Sequence, residues 1–277
     1  MQLIRLEAAG PERPVVRVDD THDLDVSDVD RRPRLALQLY TVRDALAEDV
    51  PTTLRRVSEL GLRTVEPFDL VAAVDRLLEP MAELGLTAPT SHVSFIDGDL
   101  DAAIDAAARL GVRTIIDPYV PEERWTTRSD ITAIAAALND AALRAADRGI
   151  AVGYHNHWWE LETRIDGTVA LEILADHLDD AIVLELDTYW CAVGGGDPVA
   201  LLGRLGERVV ALHVKDGPIS RDIKAQQPAG SGRMPIAEIL AAAPQARPIL
   251  EFDAYAGDLF EGIGRGIAFM RQHGATP

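Results

Sequence analysis

One arrangement recurs along this chain and restricts its folds more than any other feature. An amphipathic helical stretch ends in glycine, and a short apolar segment follows at once. It stands at Glu59-Leu60-Gly61-Leu62-Arg63-Thr64-Val65, at Glu83-Leu84-Gly85-Leu86, at Arg109-Leu110-Gly111-Val112-Arg113-Thr114-Ile115-Ile116 and at Asp147-Arg148-Gly149-Ile150-Ala151-Val152. A helix C-terminus commonly takes one left-handed residue, and glycine adopts that conformation without a Cβ clash. The apolar segments are continuous rather than alternating, as in strands buried on both faces of a parallel sheet.

Eight such strands are predicted, at 35–40, 63–66, 87–92, 113–117, 150–155, 182–187, 209–214 and 248–252. Helical stretches separate them, at 50–60, 70–84, 100–110, 129–148, 169–177, 199–205, 236–242 and 260–273, with Ser129-Asp130 as the expected start of the fourth. Eight strands alternating with eight helices, about 30 residues per unit, is the count of a (β/α)8 TIM barrel. A doubly wound open sheet rarely reaches eight parallel strands, and no glycine-rich dinucleotide turn follows the first strand here. The chain is therefore expected to form one α/β barrel over 34–277. Residues 1–33, with Pro11, Pro14 and aspartates from Asp19 to Asp30, read as an irregular arm in which 15–18 is a candidate strand.

Charge narrows the function. The 277 residues hold 45 Asp and Glu against 27 Lys and Arg, a formal charge of −18, which disfavours nucleic acid and anionic membrane surfaces as partners. Its one cysteine, Cys191, excludes a disulfide framework and a thiolate zinc site, and fits a reducing cytoplasm. No stretch reaches the roughly 20 apolar residues of a membrane-spanning helix, and no secretory signal is read at the N-terminus.

A barrel of this kind builds its active site at the C-terminal ends of the strands. Those positions hold Gln38 and Tyr40, then Glu66, His92 and Asp117, then His155, Asn156 and His157 with Glu160 soon after. Asp187 ends the sixth strand, His213, Lys215 and Asp216 the seventh, and Glu251 and Asp253 the eighth. Burying so many ionisable groups at one rim is costly unless a cation or a substrate pairs with them. Carboxylates mixed with imidazoles suit Mn²⁺, Zn²⁺, Fe²⁺ or Co²⁺ better than Ca²⁺.

Four segments resemble the sugar phosphate isomerase/epimerase family, the xylose isomerase-like TIM barrels. They are Leu39-Tyr40-Thr41-Val42-Arg43-Asp44, Gly153-Tyr154-His155-Asn156-His157-Trp158-Trp159-Glu160-Leu161, Leu186-Asp187-Thr188-Tyr189-Trp190 with Gly195-Gly196-Asp197-Pro198, and Leu212-His213-Val214-Lys215-Asp216. The resemblance implies one divalent metal ion, Mn²⁺ first and Zn²⁺, Co²⁺, Fe²⁺ or Mg²⁺ otherwise. Its expected ligands are Asp187, His213 and Glu251, with Glu160 as the fourth and His155 competing for that place. It further implies a small sugar substrate whose carbon next to a carbonyl is deprotonated, giving a metal-stabilised enediolate. His157, Glu160 and Glu251 are the expected acid/base groups. Lys215 is expected at the enediolate oxygen, with Asp216 orienting it. Gln38, Glu66, His92 and His155 are expected at sugar hydroxyls, and Trp158, Trp159 and Trp190 at the flat face of a ring.

Plainer readings stand beside these. His92 reads equally as a core histidine and Glu66 as an ion-pair partner of Arg43, while adjacent Trp158 and Trp159 cannot both face one pocket. Asp197-Pro198 reads as a helix start, and Gly230-Ser231-Gly232 is a candidate phosphate cradle. The function expected first is isomerase or epimerase. A lyase or dehydratase acting on an inosose, a 3-keto-sugar or its glycoside comes second, on the strength of the His-Asn-His segment. A phosphodiester-cleaving nuclease is disfavoured by the charge, and a silent partner subunit or a homo-oligomer is also considered.

Overall fold

The computed structural model describes residues 33–276, so the candidate strand at 15–18 and almost all of the arm lie outside the described residues. The eight barrel strands are β1 (Ala36–Gln38), β2 (Thr64–Glu66), β3 (Thr90–His92), β4 (Thr114–Asp117), β5 (Ala151–His155), β6 (Ile182–Asp187), β7 (Val209–Val214) and β8 (Arg247–Leu250). All pairings among them are parallel, and β1 returns to pair with β8. The seam between β2 and β3 is closed more thinly. Thr87 bridges Thr64 there, Val65 N–H donates to the Thr87 carbonyl at 2.9 Å and Thr87 N–H to the Arg63 carbonyl at 3.0 Å. This is the expected TIM barrel, with helices between successive strands.

Local chemistry sets the element ends. Gly61, Gly85, Gly111 and Gly149 all adopt positive φ, so the repeated glycine carries out the turn from helix to strand. The long helix Arg128–Ala146 begins earlier than the expected Ser129-Asp130. Thr127 caps it and Asp130 closes a reciprocal capping box, which satisfies two backbone donors that a start at Ser129 would leave open. Asp197 caps Pro198–Leu205 with proline in the first turn. The third strand is shorter than expected because Pro89, lacking an N–H, interrupts its ladder.

The period-two alternation of the strands then sorts the side chains. Leu37, Val65, Tyr154, Leu184, Leu186, Leu212 and Leu250 join the large core formed with the helices, while Ala36, Ala211 and Ile249 make a small separate cluster. Directly above that cluster in the same alternation stand Gln38, Glu66, His92, His155, Glu185, Asp187, His213 and Glu251, all buried. Small apolar residues thus fill one end of the barrel interior and titratable ones the other.

Candidate active site

The titratable layer is built around His213. Its Nε2 lies 2.7 Å from Glu66 Oε2 and 3.1 Å from Glu185 Oε2, and its Nδ1 lies 2.6 Å from Glu251 Oε2. Glu185 Oε2 also meets His92 Nε2 at 2.5 Å and His155 Nδ1 at 3.0 Å. Glu185 Oε2 therefore hydrogen-bonds two imidazoles and has a third, His213, close by with its own Nε2 hydrogen bond on Glu66. Gln38 completes this lower shelf, donating from Nε2 to Glu66 at 2.8 Å and accepting the Tyr40 N–H at 3.0 Å. Gln38 and Glu66 are wholly buried supports for His213 and do not reach the cavity as the expected hydroxyl contacts. The expected Glu66–Arg43 ion pair is also absent among the described residues, because Arg43 donates to the carbonyls of Tyr40 and Asp253.

Above the shelf, ligand atoms of Asp187, His213 and Glu251 lie within 4.8 Å of one another, and His155 Nε2 stands 3.8 Å from Asp187 Oδ2. The Lys215 ammonium contacts Asp187 Oδ2, Glu251 Oε2 and Asp253 Oδ2 at 2.9, 3.0 and 2.8 Å. Asp187 is split between two tasks. Its Oδ1 caps the following helix through Trp190 N–H, whereas Oδ2 accepts no aligned hydrogen bond despite its distance from Lys215. Asn156 ties the end of β5 to that of β6, accepting Asp187 N–H at 3.0 Å and donating to its carbonyl at 3.3 Å.

The residues fit a divalent cation. Glu185 and Glu66 hold the shelf-side N–H groups, which assigns the tautomers and turns His155 Nε2 and His213 Nδ1 toward Asp187 and Glu251. Metal-bound histidines characteristically have such a carboxylate behind the second nitrogen. The unsatisfied Asp187 Oδ2 and the N/O donor set without thiolates agree with a borderline metal.

Protons occupy this network otherwise. Burial alone would depress the His213 pKa, but the Glu185 and Glu251 carboxylates outweigh it and hold it well above the ordinary value. Burial lowers His155 to about 3 and raises Asp187 to about 6, the latter in spite of Lys215. Burial and the nearby His155 keep His157 well below its ordinary value, so this imidazole is neutral. Burial would raise Glu251, yet Lys215 and His213 bring it well below the usual carboxylate range.

Four sequence expectations need correction. Glu160 is not at the cation group. It lies wholly buried behind β5, where Oε1 accepts from the outward-pointing Tyr154 hydroxyl at 2.7 Å and Oε2 from His157 N–H at 2.9 Å. Neither oxygen is left for a metal or for a substrate proton. Asp216 points away from Lys215, as alternation requires, and accepts the N–H groups of Gly217, Gly230, Gly232 and Met234. It organises a loop and does not line the cavity. The Gly230-Ser231-Gly232 turn accordingly holds an internal carboxylate instead of a phosphate. Trp190 is buried beneath Lys215, whose Nζ sits 5.3 Å from its ring centroid, and neither it nor Trp158 nor Trp159 lines the cavity.

That cavity, about 540 Å³, reaches the cation group at Glu251, with His155 and Lys215 beside it in the lining. His92, His155, His157, Lys215, Glu251 and Asp253 form its floor and lower walls, and Tyr40, Phe68 and Tyr119 supply the aromatic surface. His157 stacks on Trp159 with centroids 4.4 Å apart and planes 5° from parallel, leaving its buried Nδ1 without a partner. Glu185 went unread at the sequence level. Its signal was the i, i+2 spacing to Asp187, which puts both carboxylates on one face of β6.

A family model described as xylose isomerase-like TIM barrel matches residues 54–273. The chain belongs to that family. Among solved structures, this xylose isomerase-like barrel is similar to a sugar phosphate isomerase/epimerase from Parabacteroides distasonis, with 24% identity, a TM-score of 0.75 and coverage of 90% of this chain and 96% of that one. It also resembles the IolI protein, whose structure carries a bound zinc atom, at 15% identity and a TM-score of 0.67, over 87% of this chain and 97% of that one. Among curated relatives, an inosose dehydratase from Clostridium beijerinckii is 29% identical over 99 residues, 35% of this chain and 30% of that protein. The chain spans about 30% of the length of the curated relatives it matches.

Proposed function

We propose that this barrel is a divalent-metal-dependent isomerase or epimerase of a sugar or sugar derivative, acting by proton transfer at a carbon next to a carbonyl. The observation that carries this reading is the neutral His157 imidazole on the wall of a cavity that meets the Asp187–His213–Glu251 group at Glu251. Asp187, His213, Glu251 and His155 are the residues that would hold the ion. Bound there, a cation such as Mn²⁺ or Zn²⁺ supplies Lewis-acid polarisation of the substrate carbonyl.

The chain's own groups do the rest. His157, whose ring lines the cavity, accepts the proton from carbon, since a neutral imidazole is a base already in the required form. Lys215, held fully cationic by Asp187, Asp253 and Glu251 against the cost of its burial, faces the oxygen on which negative charge develops. Return of the proton to the neighbouring carbon or to the opposite face of the same carbon gives isomerisation or epimerisation. His92 stands on the cavity wall with its Nε2 tied to Glu185, leaving Nδ1 for a substrate hydroxyl.

The similarity to an inosose dehydratase favours a second reading, a lyase on the same scaffold. The first proton transfer is shared, and His157 then returns its proton to a departing hydroxyl or glycosyl oxygen. Incubating the Mn²⁺-loaded protein with inososes and 3-keto-sugars in D₂O separates the two. Deuterium in recovered sugar marks an isomerase or epimerase, and an unsaturated ketone marks a lyase. Absence of both, with no bound divalent ion, refutes the proposal.

A further inference from the structure

We infer that the substrate is an uncharged, non-phosphorylated sugar carrying a second ring or aglycone, with the second group resting between Tyr40 and Tyr119 at the mouth of the cavity. This rests on the function proposed above and specifies its substrate class.

The charge of the cavity wall comes first. Asp69, Asp99, Glu251 and Asp253 line it, and among the described lining residues Lys215 is the one Lys or Arg, while the His92 imidazole is tied to Glu185. That ammonium already meets three carboxylates. Arg43, the nearest guanidinium to the Tyr40 side of the mouth, is spent on the carbonyls of Tyr40 and Asp253. The turn best suited to cradle a phosphate, Gly230 to Gly232, has both glycine N–H groups on Asp216. A phosphate monoester entering here would meet carboxylates, with no unpaired Lys or Arg and no amide nest. Hydroxyl groups, by contrast, donate readily to the same carboxylates.

The apolar surface comes second and is independent. Five large hydrophobic side chains are exposed among the described residues, and three of them, Tyr40 at 39%, Val71 at 44% and Tyr119 at 50%, line this single cavity. Both tyrosines are held in place. Tyr40 meets Phe68 edge-on at 5.3 Å under the Arg43 guanidinium, and Tyr119 meets His157 and Trp159 edge-on at 5.8 and 5.6 Å. Fixed half-exposed rings at the mouth of a polar cavity offer flat faces to the C–H side of a ring lying beyond the reaction centre.

The test is a tryptophan-fluorescence titration of the Mn²⁺-loaded full chain with three probes: 3-keto-glucose, its phenyl β-glycoside and its 6-phosphate. The glycoside is expected to bind at least tenfold more tightly than the free keto-sugar, and the phosphate at least tenfold more weakly. Tyr119→Ala and Tyr40→Ala each reduce the glycoside advantage several-fold, while Tyr119→Phe keeps it; thermal midpoints establish that the variants are folded. Phosphate binding as tight as the free sugar, or a glycoside advantage that survives both alanine variants, overturns this inference and leaves the proposed reaction standing. Failure of all three probes to bind, together with no deuterium exchange in D₂O, overturns the proposed reaction itself.

Discussion

Replacing Glu160 by glutamine separates a buried structural carboxyl from a metal ligand. Burial raises the Glu160 pKa from 4.5 to about 8, against the opposing hydrogen bonds from Tyr154 and His157. A pKa raised on folding means that the native state holds the proton more tightly than the unfolded chain. The resulting stability is fully present below pH 4.5 and is lost as pH rises through about 8. One pKa unit corresponds to about 1.36 kcal/mol, so the full range is up to about 5 kcal/mol, of which about 4 kcal/mol falls between pH 5 and 9. Glutamine reproduces the protonated carboxyl, since its carbonyl can accept from His157 N–H and its amide can donate to the Tyr154 hydroxyl. Metal-free wild type should therefore lose stability relative to Glu160→Gln as pH rises. The gap in thermal midpoint between the two should change by roughly 8–16 °C from pH 5 to 9. Scanning fluorimetry in matched buffers reads this directly, and the subtraction removes other titrating groups. Metal affinity of the variant should stay within about threefold of wild type. A midpoint gap independent of pH, or a tenfold loss of metal affinity, refutes the assignment.

Glu185→Gln, which removes the carboxylate that holds His92 and His155 and stands beside His213, should weaken divalent-metal binding about 10–100-fold in a chelator competition; unchanged affinity would mean that the imidazoles are oriented by something else. Metal uptake should fall in acid as Asp187 protonates near pH 6, and binding should release protons from His213 in weakly buffered solution; affinity flat from about pH 5.5 to 8 contradicts this. Lys215→Met leaves Asp187, Glu251 and Asp253 facing one another, so the metal-free protein should lose about 3–5 kcal/mol and Mn²⁺ should raise the variant's Tm more than the wild type's. Asp216→Ala strips four backbone N–H groups of their acceptor and should make the 217–234 loop sensitive to limited proteolysis, with metal affinity changed less than threefold.

The barrel was legible because its strands are buried on both faces and announce themselves as apolar runs after a glycine stop. The strand-end residues Asp187, His213 and Glu251 were legible for the same reason, since the fold class says which end of each strand forms the site. Other roles depended on direction, which chain position alone conceals. Lys215 and Asp216 are neighbours in sequence but point to opposite sides. Glu160 follows the His155–His157 segment closely, yet the helix Trp159–Glu162 carries it behind β5. Glu185 lay inside a Leu-rich strand, where a reading of strand ends passed over it. Tyr40 and Tyr119 took the place assigned to the tryptophans, because exposure depends on how the loops fold and not on which ring is largest.

The charge balance of the site shows how one group of residues could hold either protons or a divalent cation. Five carboxylates, Glu66, Glu185, Asp187, Glu251 and Asp253, stand against Lys215 and the imidazoles of His92 and His213, whose pKa values are both held above normal. Even with both imidazoles charged, the count is five negative to three positive, a deficit of two. Protonation of Asp187 near pH 6 relieves part of it. A divalent ion would add two charges and displace one proton from His213 Nδ1, a net gain of one that relieves half of the deficit. The shelf of Glu66 and Glu185 already fixes the imidazoles, so a cation could replace protons here without rebuilding them. A shelf carrying fewer carboxylates would leave His155 and His213 free to rotate, and the ligand group would lose its fixed directions.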